Sequence, residues 1–312
     1  MISYLDTAAP RCQLDQGATC YPKNLLTIPQ SPHSLYVLGS TAALTAPSLA
    51  IVGARKATPY GMSCAKHFAR LAALCGVTVI SGGAVGCDQA AHKGALEVGG
   101  KTIVVLGCGA DVVYPTRSEG LFLKVLEEDG AIVSEAPWGA PPTRWSFKRR
   151  NRIIAGMAQA TLIVEAGLPS GTFSTADATL EQGKEVLAVP GSIFAKESKG
   201  ANQLIAQGAL PIIDDQTFTD ALIQLFGIVD RSALAEGISL TQKGVDDPKD
   251  SNPEEKLRSR VVNALIQEPL RAEDFLGICG DDVVKVIRYL SSLELVGIVT
   301  RLRDGRYAAV SR

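Results

Sequence analysis

The sequence predicts an α/β fold, in which a mostly parallel sheet carries helices on both faces and is followed by a small C-terminal winged-helix domain. Two observations predict the large domain. From about residue 49, short apolar runs alternate with helix-length amphipathic segments, and several of these runs end in glycine or another small residue. A third observation predicts the small domain: three helical segments within 254–312 precede two alternating segments joined by Asp304-Gly305, a hairpin signal.

Six apolar runs are the strand candidates of the large domain, which we place at 49–228. They are LAIVGA (49–54), VTVISG (77–82), TIVVLG (102–107), AIVSEA (131–136), TLIVEA (161–166) and EVLAVPG (185–191). The helices between and after them are predicted at 59–75, 89–98, 117–128, 151–158, 172–182 and 201–207. Because parallel strands bring their carboxyl ends to one edge of the sheet, we expect ligands to bind at that edge.

The segments outside the large domain have different compositions. Residues 1–48 are rich in Pro, Ser and Thr, and only HSLYVLGS is typical of a strand, so we predict an irregular N-terminal arm. Residues 229–253 lose apolar periodicity and gain Gly, Asp, Asn and Pro, which predicts a linker. The predicted winged helix, 254–312, holds ten Lys/Arg and nine Asp/Glu. A module that binds duplex DNA usually has a clear excess of basic residues, which this domain lacks. Both DNA and protein are therefore kept as alternative partners of the domain.

Composition limits the classes of function. The formal net charge is −1, so any attraction to phosphates must come from local clusters. Seven scattered cysteines without a CxxC pair predict reduced thiols in a cytoplasmic protein. No segment reaches the ~18 apolar residues of a membrane helix, and the N-terminus has no secretory pattern. We therefore predict a cytoplasmic protein with no membrane partner, no metal and no cofactor.

Four glycine-bearing loops follow predicted strands and predict an anion-binding rim. They lie at 52–61, 81–96, 107–115 and 165–183. Glycines at such turns let backbone N–H groups approach a phosphate, and the next helix adds partial positive charge. None of the loops matches GxGxxG or GxxxxGK[ST], and any one alone is better explained by tight-turn geometry, whereas the four together favour a ligand. The binding residues predicted from these loops are Gly53, Ser81, Gly82, Gly83, Gly171 and Thr172.

The stretch TRWSFKRRNRIIAG, residues 143–156, concentrates positive charge. It places five cations and two aromatic rings together with no acidic residue. Single-stranded nucleic acid is held by cations along its phosphates and by aromatic faces on which bases stack. Arg55, directly after the first strand, would bring a planar guanidinium to the same edge. The predicted contacts are Arg55, Arg144, Phe147, Lys148, Arg149, Arg150, Asn151 and Arg152; the alternative is a solvated helix start with its rings in the core.

Taken in order, these loops and the basic stretch resemble the DNA-processing protein A (DprA/Smf) family over about residues 35–215. The resemblance implies an extended Rossmann-like domain that binds single-stranded DNA as a dimer and hands it to the recombinase RecA in natural transformation. In the family's pattern the single-stranded DNA is contacted by residues that correspond here to Arg55, Arg144 and Phe147. Two departures are Lys148, where the family usually has proline, and Cys87, where many members have isoleucine.

The leading functional hypothesis is a non-enzymatic binder that protects incoming single-stranded DNA and loads RecA for homologous recombination. Its predicted partners are single-stranded DNA, RecA and a second copy bound through the Rossmann-like domain. One alternative is a nucleotide-processing enzyme similar to phosphoribohydrolases, although the glutamate of their PGGxGTxxE stretch is not in place at 169–175. Another alternative is a regulator that acts on duplex DNA through the winged helix.

Overall fold

In the computed structural model, the structure describes residues 9–227, 253–267, 269–279, 282–302 and 304–310. These residues form two compact units. The larger is built on a nine-stranded sheet, and the smaller contains helices and a two-stranded hairpin. The predicted α/β class with a mostly parallel sheet is confirmed.

The sheet has the strand order β1-β2-β6-β5-β4-β3-β7-β8-β9. Neighbours from β6 to β9 are parallel, whereas β1 pairs with β2, and β2 with β6, in antiparallel register. The strands are β1 (Arg11–Asp15), β2 (Ser34–Gly39), β3 (Ser48–Val52), β4 (Thr78–Ser81), β5 (Thr102–Leu106), β6 (Ala131–Ser134), β7 (Ala160–Ile163), β8 (Glu185–Ala188) and β9 (Leu210–Pro211). Every residue of β3 and β5 is buried, as strands covered on both faces require.

Seven α-helices lie within the described residues 9–227. They are α1 (Pro59–Leu74), α2 (Cys87–Leu96), α3 (Glu119–Glu127), α4 (Arg144–Met157), α5 (Phe173–Glu181), α6 (Lys199–Ala206) and α7 (Asp215–Phe226). Short 3-10 turns complete the connections. Helix α4 begins seven residues before the predicted start at Asn151, so the basic stretch is itself helical and does not precede the helix. Among the described residues, none of the helices combines the length and apolarity that crossing a bilayer requires.

The N-terminal segment corrects one prediction. Residues 9–48 are not an irregular arm with a single strand: β2 lies in the predicted segment HSLYVLGS, and β1, which was not predicted, extends the sheet further, with Arg11 opposite Leu38 and Leu38 opposite Ile132. Strand β1 is an edge strand that buries one side chain, Leu14, out of five. An edge strand needs little apolar periodicity, so its sequence signal is weak.

The strand order creates a switch point beside β3. From β3 the chain proceeds to β4, β5 and β6 on one side, and then returns to place β7 on the other side. The loops that follow β3 and β7 therefore leave the sheet in different directions. A crevice forms between such loops, and in open α/β sheets it is the usual place for a ligand.

The smaller unit has its own apolar core, which includes Val261, Phe275 and Leu290. Its elements are α8 (Pro253–Gln267), α9 (Leu276–Cys279), α10 (Val283–Leu295), β10 (Val299–Arg301) and β11 (Tyr307–Ala309). The two strands form an antiparallel hairpin. The winged-helix interpretation of 254–312 stays a prediction, and the predicted linker lies, as far as residue 252, outside the described residues.

Candidate nucleic-acid interface

A cleft of about 820 Å³ opens at the switch point. Its walls come from the loop after β3, the first turns of α4, the loop 167–172 after β7, and residues 196–197 after β8. Six cationic side chains and three acidic ones line it: Arg55, Lys56, Arg144, Lys148, Arg150 and Lys196, against Asp88, Asp177 and Glu197. Although the whole chain is nearly neutral, the cleft therefore carries an excess of positive charge suited to an anionic ligand.

The wall of this cleft holds the ring of Phe147, which contacts a cation and a second ring. Phe147 is half-buried, and the Cζ atom of Arg55 lies 5.3 Å from the centroid of its ring, the geometry of a cation–π contact. The ring of Tyr114 lies 5.2 Å from that of Phe147, at an interplanar angle of 34°. Tyr114 is 41% exposed. The structure thus brings Arg55 and Phe147 together as predicted and adds a tyrosine.

Sequence reasoning missed Tyr114, although a signal was present. Tyr114 belongs to the glycine-bearing loop that follows β5, and aromatic side chains in such a loop can reach the carboxyl edge of the sheet. Gly107 explains how the ring of Phe147 fits there. A Cβ at Gly107 would stand 3.1 Å from Cδ1 of Phe147, so the absence of a side chain lets the first turn of α4 lie close against the end of β5.

Helix α4 begins at Arg144 because Thr143 and Ser146 exchange hydrogen bonds. The backbone N–H of Thr143 donates to Oγ of Ser146 at 3.3 Å, and that hydroxyl donates to the carbonyl oxygen of Thr143 at 2.8 Å. From this start, one face of the helix carries Arg144, Phe147, Lys148 and Asn151, at positions i, i+3, i+4 and i+7. All four line the cleft.

Two of the predicted contacts lie elsewhere on α4. Arg149 and Arg152 both form ion pairs with Glu135, which follows β6, and the Arg152 pair joins Nη1 to Oε2 at 2.5 Å. Arg152 also donates from Nε to the carbonyl oxygen of Gln30 at 3.1 Å. Neither arginine lines the cleft. The exposed ring of Trp145 lies on this side, 5.6 Å from Cζ of Arg149.

Arg150 points into the interior and is 5% exposed. Its Nη1 donates to the carbonyl oxygens of Gly82, at 2.8 Å, and Val105. Burial lowers the pKa of Arg150 to about 10, while the nearby Asp88 carboxylate opposes that shift. Burial likewise raises the pKa of Asp88, and Arg150 opposes it. Arg150 therefore forms the floor of the cleft and fastens α4 to the ends of β4 and β5.

The glycines after β4 serve close packing. Gly82 and Gly83 are buried. A Cβ at Gly82 would stand 2.6 Å from Nη2 of Arg150, and Gly83 has a φ of +67°, which favours glycine. The structure therefore does not bring these two residues to the predicted anion-binding rim, because Arg150 occupies the space beside Gly82, and Val104 and Phe122 occupy the space beside Gly83.

Ser81 and Gly53 lie at the ends of neighbouring strands. Ser81 is fully buried, and its hydroxyl donates to the carbonyl oxygen of Ile51 at 2.6 Å, so the structure does not bring it to an anion. Gly53 does line the cleft. A Cβ there would stand 2.6 Å from Sγ of Cys87, which shows that α2 packs directly against this turn.

The loop before α5 brings the last two predicted residues to the cleft. Gly171 and Thr172 both line it, and Gly171 is exposed. The side-chain amide of Asn151 donates to Oγ of Ser174 at 2.7 Å, which fastens α4 to the first turn of α5. Among the described residues, no group of three or more His, Cys, Asp and Glu side chains could hold a metal ion.

Comparison with known proteins identifies the family. The profile of the family described as DNA recombination-mediator protein A matches residues 14–223, which is more than half of the chain. The chain belongs to this family. The resemblance to DprA/Smf proteins drawn from the sequence is thereby confirmed.

Relatives in this family are similar over most of the chain. Protein Smf of Escherichia coli is 37% identical over 285 residues, which span 91% of this chain and 74% of that protein. The DNA processing protein DprA of Streptococcus pneumoniae is 36% identical over 197 residues, which span 63% of this chain and 69% of that protein.

Two solved structures of the family share the fold. DprA from Streptococcus pneumoniae superposes with a TM-score of 0.63 at 34% identity, covering 67% of this chain and 74% of that one. DNA processing protein A from Helicobacter pylori also superposes with a TM-score of 0.63, at 30% identity, covering 70% and 97% respectively. That Helicobacter pylori structure is described for its single-stranded DNA binding mode.

Proposed function

We propose that this protein binds single-stranded DNA in the cleft without performing a reaction on it. Bound strand would be protected and delivered to the recombinase RecA in homologous recombination and natural transformation. The observation that supports the proposal best is the contact of Arg55 with the ring of Phe147, which Tyr114 packs against, because Arg55 and Phe147 line the same cleft as Arg144 and Lys148.

The arrangement favours an unpaired strand. An aromatic face can hold a base only if that base is free of its own stack, and each base held in this way is worth about 1–3 kcal/mol. Arg144 and Lys148, one helical turn apart, would face successive phosphates. In duplex DNA the bases are already stacked on each other, so the ring of Phe147 would gain little from them.

We propose a smaller site than the sequence alone predicted. In this proposal the single-stranded DNA is contacted by the cleft residues Arg55, Arg144, Phe147, Lys148, Asn151, Gly53, Gly171 and Thr172. Arg149 and Arg152 are not included, because they form ion pairs with Glu135. Arg150 is not included either, because it donates to buried carbonyl oxygens. Ser81, Gly82 and Gly83 are also left out of the proposed site, because they are buried and pack against neighbouring groups.

Fluorescence anisotropy with a labelled oligo-dT tests the proposal. Arg55→Ala and Phe147→Ala are each expected to weaken binding at least fivefold, since each removes one side of a stacking contact. Arg149→Ala is the matched control, because it removes a cation from the same helix on the side of Glu135. Unchanged affinity in both cleft variants would contradict the proposal, as would equal affinity for a duplex of the same length.

Loading of RecA is tested on DNA coated with single-strand-binding protein. We expect the protein to shorten the lag before RecA filaments form, and Phe147→Ala to restore the lag. A lag that the wild type leaves unchanged would remove RecA from the proposal without affecting DNA binding.

A homodimer through the larger unit is part of the proposal. Within the described residues β9 is the last strand of the sheet, and Ile213 beside it is 67% exposed. A charged residue there would oppose the burial of this surface against a second copy. We expect Ile213→Glu to halve the mass measured by light scattering; an unchanged mass would contradict this contact.

The non-enzymatic part of the proposal has its own test. Thr175 stands three residues after Thr172, at the place where phosphoribohydrolases have a glutamate, and its side chain is buried in the wall of the cleft. We therefore expect no free base to be released from nucleoside monophosphates. Release of a base by the wild type, lost on changing cleft residues, would overturn this part.

A further inference from the structure

The turn that follows β8 exposes two large apolar side chains. Ile193 is 75% exposed and Phe194 is 89% exposed. Leaving such side chains in water forgoes the free energy that burial of a large apolar group supplies. Scattered single apolar residues on a surface need no explanation, but here two adjacent ones stand at the tip of one turn.

This turn is held by specific hydrogen bonds. The backbone N–H of Ala195 donates to the carbonyl oxygen of Ser192 at 3.1 Å, which closes the turn, and the N–H of Phe194 donates to Oγ of Ser192 at 3.3 Å. Asn202 holds the start of the loop, since it accepts from the N–H of Gly191 at 3.1 Å and donates to its carbonyl oxygen at 2.9 Å. The two side chains are thus presented by a fixed backbone.

The turn is continuous with the cleft. Lys196 and Glu197, which follow it directly, line the cleft. A Cβ at Gly167 would stand 3.4 Å from the carbonyl oxygen of Lys196, so this segment and the loop after β7 pack against each other in one wall. Phe147 stands on another wall, which is built by α4.

We propose that Phe194 is a second stacking platform, on which a base rests where the strand leaves the cleft. Lys196 and the exposed Lys199 would face the phosphates beside that base. Aromatic rings near cations are the combination by which proteins hold unpaired nucleic acid. This inference rests on the proposed function, because it needs a strand in the cleft.

The size and the surroundings of this surface favour single-stranded DNA over a protein as its partner. Stable protein contacts bury about 800 Å² on each partner, whereas the turn offers two apolar side chains followed by charged residues. The adjoining cleft has an excess of positive charge, which suits a ligand with one phosphate per base.

Binding of oligo-dT of increasing length tests the inference in the full chain. For Phe194→Ala we expect unchanged affinity with a short oligonucleotide of about four nucleotides, and about tenfold weaker binding with one of about twenty. Phe194→Trp should keep the affinity of the wild type for the long strand, because it keeps an aromatic face, whereas Phe194→Leu should behave like the alanine variant. Leu26→Ala, at an exposed apolar position outside the cleft, is the matched control.

The outcomes separate this inference from the proposed function. If Phe147→Ala weakens binding but Phe194→Ala matches the wild type at every length, the inference about Phe194 is overturned, whereas the proposed DNA binding in the cleft is supported. If Phe194→Ala binds DNA normally but changes the mass of the protein in solution, the turn belongs to a contact between copies and the inference is likewise overturned. If the wild type binds no oligo-dT, both fall together.

Discussion

Helix α4 carries cations on two faces, and what surrounds each face differs. On one face, Arg144 and Lys148 line an open cleft together with Phe147. On the other, Arg149 and Arg152 form ion pairs with Glu135. The two faces contribute equally to the basic stretch in the sequence, but only the first has its charge available in a concave site.

The residues that surround α4 determine which of its cations remain available to a ligand. A single acid at the end of β6 is enough to engage two arginines, and a third, Arg150, is drawn inside by two carbonyl oxygens. Positive charge near the start of a helix opposes the helix dipole. Glu135 offsets part of that cost on one face, and we propose that a bound phosphate does so on the other.

The largest effect is expected for the arginine that belongs to neither face. Arg150→Met removes the partner of a buried Asp88 and the donor to two buried carbonyl groups. Breaking a buried pair in this way costs about 3–5 kcal/mol of the free energy of unfolding. Urea denaturation measures it. An unchanged midpoint accompanied by weaker DNA binding would instead place Arg150 among the strand contacts.

A buried histidine of α2 should also make stability depend on pH. His92 is fully buried, with Nδ1 2.7 Å from Oγ1 of Thr102, and burial, followed by the charge of Arg150, lowers its pKa to about 3. Below pH 6.5 this histidine is protonated in the unfolded chain, whereas in the folded protein it stays neutral until about pH 3. Its contribution to the free energy of unfolding is therefore lost as the pH falls through that range. At pH 5 the loss is about 2 kcal/mol.

His92→Gln isolates that contribution. We expect the variant to lose less stability than the wild type between pH 7.5 and pH 5, as measured by urea denaturation at each pH. Carboxylates that titrate in the same range affect both proteins alike. Equal losses in the two proteins would mean that His92 is protonated in the folded state.

The two faces of α4 should differ in the salt dependence of binding. Each cation that neutralises a phosphate of a single strand contributes about 0.7 to the slope of log K against log salt. Replacing Arg144 and Lys148 by glutamine should reduce the slope by about 1.4, whereas replacing Arg149 and Arg152 should leave it unchanged. A smaller slope in the second pair of substitutions would show that Glu135 does not keep those arginines from the strand.

The smallest effect is expected at Tyr114. Tyr114→Ala leaves Phe147 without the neighbouring ring that supports it, and aromatic pairs of this kind are worth about 0.5–1.5 kcal/mol. We expect oligo-dT affinity to fall about threefold, at the lower end of that range, and Tyr114→Phe to bind like the wild type. If Tyr114→Phe binds as weakly as the alanine variant, the hydroxyl rather than the ring makes the contact.

The fold was predictable where the pattern of one segment suffices. The runs that became β3 to β8 are continuous and apolar because the sheet buries them on both faces. Strand β1 was missed because an edge strand buries little, and its pairing with β2 is a contact between distant segments. The early start of α4 was missed because its first turns are polar, so apolar periodicity marks only the second half.

The candidate site was predictable in part. Arg55 and Phe147 were brought together by the rule that strand ends share one edge of the sheet. The pairing of Glu135 with Arg149 and Arg152 depends on where the end of β6 meets α4, which no local pattern contains. The burial of Arg150 depends similarly on two strands that precede it by tens of residues.

Photo-cross-linking tests the central claim most directly. A halogenated single-stranded oligonucleotide would be irradiated with the full chain, and the attached peptides identified by mass spectrometry. We expect attachment at Phe147 or Tyr114, with the yield lost on Arg55→Ala. Attachment confined to residues 253–310, with none in the cleft, would contradict it.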